Sequence, residues 1–173
     1  MNDLEHIIAS NSKLILTIAS VILLLLAGLS LTRKHLHAAG KQILFGAIVV
    51  ATLAPTLFLI ISTIYINVVS ESRGPVHWHA DIEIWACGRE INLRDPENWW
   101  SNKIGTSTLH EHNDKRIHLE GVVVSPGDAS LGKFFQVIGG ALTATSLVVP
   151  TTEGPLVIRN GPCPGGEDAK LQV

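Results

Sequence analysis

The sequence predicts a membrane-anchored α+β protein. A transmembrane hairpin of two helices occupies residues 1–70, and a small mixed α+β extracytoplasmic domain follows over residues 71–173. Three observations carry this reading. Two uncharged apolar stretches fill most of the first seventy residues. Most of the charge, all four Trp, both Cys and five of the eight His come after them. Over residues 76–86 and 116–120 apolar and polar residues alternate, the period of half-buried strands. The net charge of -2 therefore averages two unlike halves, and no long basic run offers nucleic acid an electrostatic footprint.

The first stretch, Leu14–Leu31, has 18 uncharged residues, and the second, Ile43–Val69, has 27, with its helix expected over about 43–67. A spanning helix needs about 20 apolar residues. Lys13 and Arg33 can snorkel at the ends of the first. Pro55 sits inside the second, where it removes a backbone hydrogen bond and favours a kink. The first stretch does not read as a cleaved signal peptide, because Asp3 and Glu5 replace the basic leader and the apolar core is long. Arg33, Lys34 and Lys41 make the linker basic, which places it in the cytoplasm and both termini outside. His35 and His37 then lie in that linker as interfacial polarity. The expected partner is the lipid bilayer. The small residues Gly46, Ala47, Ala51 and Ala54 would also suit packing against other membrane subunits.

In the domain, Val76–Ala86 alternates as a strand, with Val76, Trp78, Ala80, Ile82 and Ile84 expected to face the core. His77, His79, Asp81 and Glu83 face the other way. Cys87-Gly88-Arg89 is a turn into a short return strand at Glu90–Leu93. Asp95–Ser107 reads as a loop, whose pair Trp99-Trp100 suits either a bilayer interface or a lid over the core. Thr108–His112 and Arg116–Val124 are two further strands joined by an Asn113-Asp114-Lys115 turn. Ser130 or Asp128 can cap a helix over Leu131–Ile138 that stops at Gly139-Gly140. Leu147–Val149 and Leu156–Ile158 are strands, and Gly161–Gly166 is a loop. Lys170–Val173 would begin another strand, so the pattern ends either as a fragment or on an edge strand.

Cys87 and Cys163 are each flanked by turn residues, and an extracytoplasmic setting permits a disulfide between them. It would close a loop of about 75 residues and contribute roughly 3–5 kcal/mol. The alternative is a thiol acting as a metal ligand.

Five histidines fall in two clusters, His77-x-His79 and His110-x-His112 with His118 beyond the turn. Side chains at i and i+2 on a strand project to one face, about 6.5–7 Å apart. Imidazoles so placed can converge on one metal ion, and imidazole suits Zn, Cu, Fe and Ni. Asp81, Glu83, Asp114 and Glu120 are available as ligands or as groups that orient a ring N–H. The competing readings are a hydrogen-bond network with Asp81, Asp114 and Arg116, and a pH sensor. Nucleophilic and phosphate chemistry lack their motifs: there is no Gly-x-Ser-x-Gly elbow, and Gly161-Pro-Cys-Pro-Gly-Gly has no following Lys-Ser/Thr.

The residues His77-Trp-His79, Leu109-His-Glu-His112, Arg116-Ile-His-Leu-Glu120 and Ala129-Ser-Leu-Gly-Lys-Phe-Phe135 follow a familiar order. Over roughly residues 75–140 the chain resembles a group of uncharacterised prokaryotic exported or membrane-anchored His-rich domains. Asn113 separates His112 from Asp114, which are often adjacent in that group. The resemblance implies a small α+β domain of β-grasp-like order, with a hairpin, a crossing helix and further strands. It carries no activity.

Three functions fit these residues. The first is a metal-binding domain for copper or zinc with His77, His79, His110, His112 and His118 as ligands. The second is a metal-dependent enzyme at the same cluster, with Glu111 or Glu120 as acid or base. The third is a metal-free structural subunit of a membrane complex.

Overall fold

The computed structural model describes residues 3–32, 36–97 and 100–173. The chain divides into two compact units, Met1–Val69 and Ser70–Val173. Together they make an α+β layout of two apolar helices followed by a small sheet-rich domain.

Helices α1 (Asp3–Thr32) and α2 (Ala38–Val69) pack on each other. Over Ile7–Thr32 and Ala38–Val69 they are long and apolar enough to cross a membrane. At 1.5 Å per residue the shorter of these spans about 39 Å, more than the roughly 30 Å of a hydrocarbon core. Both helices outrun the uncharged stretches, because polar residues at their ends continue the helix. Their outward faces carry exposed Leu24, Leu25, Ile43 and Phe45. Inside them the polar side chains bond to their own backbone: Thr17 Oγ1 donates to the Lys13 carbonyl, Thr52 Oγ1 to Ile48 and Ser62 Oγ to Phe58. Such internal satisfaction is what an apolar surrounding demands. α2 runs through Pro55 without interruption. A Cβ on Gly46 would meet nothing within 4 Å, so α1 makes no use of its small size. Of the basic linker residues, Arg33 and Lys34 lie outside the described residues, as does His35.

The second unit begins with β1 (Pro75–Asp81), β2 (Trp85–Ala86), β3 (Arg89–Glu90), β4 (Ile104–Gly105), β5 (Leu109–Glu111) and β6 (Arg116–Val122). The helix α3 (Leu131–Ile138) follows, then β7 (Ala141–Leu142), β8 (Ser146–Thr151), β9 (Gly154–Arg159), β10 (Gly161–Pro162) and β11 (Asp168–Ala169). The main sheet is antiparallel in the order β1-β6-β5-β4. The strands after the helix form two further sheets, β7-β8-β9 and β10-β11, and do not return to the first.

Local chemistry explains these elements. Ser130 caps α3 by accepting from the Lys133 N–H at 3.2 Å, and Gly139 ends it at φ 95°. Phe134, Phe135 and Ile138 on α3 are buried with Ile104, Leu109, Leu119, Leu147 and Val149. The two-residue turn Cys87-Gly88, both at positive φ, joins β2 and β3 as a hairpin. The Cys87–Cys163 disulfide is present, with Cα atoms 5.6 Å apart, so neither thiol is a metal ligand.

Several expectations need correction; the return strand is Arg89–Glu90 rather than Glu90–Leu93, and the loop at 161–166 opens with β10. Val76–Ala86 is not one strand: it breaks after Asp81 and resumes at Trp85. Trp78 and Ala80 do not enter the core, and Trp78 is 59% exposed. The reason is that β1 is an edge strand, while α3 packs on β4, β5, β7 and β8. The stretch read as a loop, Asp95–Ser107, contains β4, whose Ile104 is buried. Lys170–Val173 is not a strand; Asp168–Ala169 pairs with Gly161–Pro162, and the Leu171 N–H donates to Asn160 Oδ1. Trp99 lies outside the described residues, and Trp100 is exposed.

Candidate metal centre

Strand register assembles the site. β1, β6 and β5 lie side by side, with His79 opposite His118 and His118 opposite His110. His77 stands opposite Glu120, two residues along. Adjacent strands are about 4.8 Å apart, which brings facing rings into contact. The ring centroids are 4.4 Å apart for His79 and His118, and 5.3 Å for His110 and His118. His112 joins at the end of β5, its ring 4.7 Å from that of His118 and 4.8 Å from that of His110. All five predicted histidines are thus brought to one face. They do not form one cage. They divide into one group of buried His110 and His118 with half-buried His112, and a second, more exposed one of His77 and His79 with half-buried Glu120. Within each group one ligand atom from every residue lies within 4.8 Å of the others.

The buried group is held by surrounding acceptors. His112 Nδ1 is 2.9 Å from the Asn102 carbonyl, and His118 Nε2 is 2.9 Å from Asp114 Oδ2. Carbonyl and carboxylate oxygens only accept, so those two nitrogens carry the protons. In the neutral form of each ring, the lone pair is then left on His112 Nε2 and on His118 Nδ1. This pattern, one ring N–H held by an oxygen and the other nitrogen free, is how metal-binding imidazoles are oriented. Burial works to raise the Asp114 carboxyl, but the hydrogen bond and charge of His118, with the Arg116 N–H, hold it below the ordinary carboxylate range.

His110 differs. It is 1% exposed, and its Nδ1 has no hydrogen-bond partner among the described residues. Its Nε2 lies 3.9 Å from Glu120 Oε2. Burial, then Lys103, His112 and His118, push its pKa down to about 4 against the opposing pull of Glu120. His110 is therefore neutral at physiological pH, the form that binds metal.

Two supporting residues left little trace in the sequence. Asn102 acts through its backbone carbonyl, which no side-chain pattern reveals. Gly105, at φ 109°, pairs with His110, and a Cβ there would lie 2.5 Å from the Leu109 carbonyl oxygen. Only glycine lets β4 approach the His110 backbone this closely. Glu111 faces away from the imidazoles. It is 2% exposed, and its Oε1 accepts from the Asp114 and Lys115 N–H groups, which closes the β5–β6 turn. It is thus not placed as an acid or base for the site. Asp81 pairs with Arg116, and the Glu83 carboxylate accepts from Trp85 Nε1, and neither acid belongs to the two groups.

No protein-family model, curated protein or solved structure matches this chain.

Proposed function

We propose that the domain binds a copper or zinc ion through His110, His112 and His118, on the extracytoplasmic side of a membrane that α1 and α2 span. The single observation that carries this is the unpartnered Nδ1 of a wholly buried His110, set beside two imidazoles whose remaining nitrogens carry lone pairs. A buried polar nitrogen left unpaired costs about 1–3 kcal/mol, which a metal bond there removes. Three imidazoles leave the fourth position of a tetrahedral ion open. The location rests on the length of the helices and on the disulfide, which persists in oxidising compartments. On this reading the chain is one of the exported or membrane-anchored His-rich domains it resembles in sequence, with both termini outside.

The test is the metal content of the full chain purified in detergent and loaded with Zn(II) or Cu(II). Bound metal should be stoichiometric, and His110→Ala and His118→Ala should each lose the ion of this site. A wild type that holds no metal after loading overturns the reading. Topology is tested by membrane-impermeant thiol labelling of Lys41→Cys and Gln172→Cys in intact cells, where only the second should react.

A further inference from the structure

We infer that the domain holds a second transition-metal ion at His77, His79 and Glu120, and that Glu120 couples the two sites through His110. The inference rests on the reading of the first site given above.

The exposed group has the geometry of a ligand set. His77 Nε2 and His79 Nε2 are 2.9 Å apart, and His77 Nε2 is 3.5 Å from Glu120 Oε1. Two nitrogens on one tetrahedral ion with bonds of 2.0–2.1 Å stand about 3.3 Å apart. The observed separations bracket that value. Without metal, one of the two facing imidazole nitrogens must donate to the other. With metal, both turn a lone pair to the same ion, and Oε1 supplies an anionic third ligand. His77 and His79 are solvent-exposed, so the ion can enter without opening the fold.

Glu120 reaches both sites with different oxygens. Oε1 faces His77, and Oε2 faces His110 Nε2 at 3.9 Å. A metal on His110 Nδ1 fixes the proton on Nε2, and that N–H then has Glu120 Oε2 as its acceptor. Closing the 3.9 Å gap to a hydrogen bond would hold the Glu120 carboxylate with Oε1 turned to His77 and His79. Filling either site thus pre-orders a residue of the other, and the coupling is reciprocal.

The experiment uses the full chain in detergent, titrated with Zn(II), with bound metal counted by elemental analysis after gel filtration. Co(II) absorption then reports each site's geometry. Wild type should hold two equivalents. His77→Ala should hold one, with the first site intact. Glu120→Gln should lose the second ion and weaken the first by about 10–100-fold, the usual effect of removing a residue that orients a ligand. His110→Ala should lose the first ion and weaken the second. A wild type holding one equivalent, unchanged in His77→Ala, overturns the second site and leaves the first standing. Two equivalents whose first affinity is unmoved by Glu120→Gln overturn the coupling. No bound metal at all overturns both readings together.

Discussion

Acidifying the metal-free protein probes the burial of His110 directly. Its pKa falls from 6.5 to about 4, chiefly through burial. The unfolded chain takes up the proton near pH 6.5, while the folded chain resists until about pH 4. The stability contributed by the neutral ring is therefore complete above pH 6.5. It is lost progressively as pH falls through the window from 6.5 to about 4. At 1.36 kcal/mol per pH unit this loss comes to roughly 3 kcal/mol by pH 4. Other groups titrate in the same range, so the informative quantity is the difference between wild type and His110→Leu, which keeps an apolar side chain in place. All four Trp lie after residue 70, so Trp fluorescence during urea unfolding, with chelator present, follows the domain rather than the helices. Wild type should lose about 3 kcal/mol more than His110→Leu between pH 6.5 and 4. Equal losses in the two proteins would refute the claim that His110 is held neutral by burial.

Replacing Cys87 and Cys163 by Ser should lower domain stability by roughly 3–5 kcal/mol in urea unfolding, because a loop spanning 76 positions is released. Gly105→Ala should cost about 2–4 kcal/mol from a positive φ and a backbone clash, and should weaken metal binding by displacing His110. Glu111→Ala should cost about 1–3 kcal/mol by releasing the β5–β6 turn, yet retain metal, since Glu111 faces away from the rings. A Glu111→Ala protein of wild-type stability that loses its metal would reverse that assignment.

Much of the fold was legible where local chemistry decides it. Ser130 and Gly139 mark the ends of α3 in the sequence, and the structure uses both as caps. The alternation in residues 116–120 places His118 and Glu120 on one face, with Ile117 and Leu119 on the other, as the strand register has it. Turn residues around Cys87 and Cys163 pointed to the disulfide. What failed depended on tertiary context. Trp78 has the period of a core residue, but β1 is an edge strand that α3 does not cover. β4 is only two residues long and is held by pairing with β5, a contact that no periodicity records. The histidines were legible as two clusters, His77-x-His79 and His110-x-His112 with His118, but the place of Glu120 beside the first was not. It follows from the β1–β6 register, which sets Glu120 opposite His77.

X-ray absorption at the metal edge of the Zn(II)-loaded full chain tests the metal centre most directly. Three imidazole nitrogens at about 2.0–2.1 Å, with no sulfur near 2.3 Å, are predicted for the first equivalent, because both cysteines are in the disulfide. His110→Ala should lose the three-imidazole shell. A sulfur shell, or a shell of oxygens without imidazole scattering, would contradict the assignment of His110, His112 and His118 as the ligands.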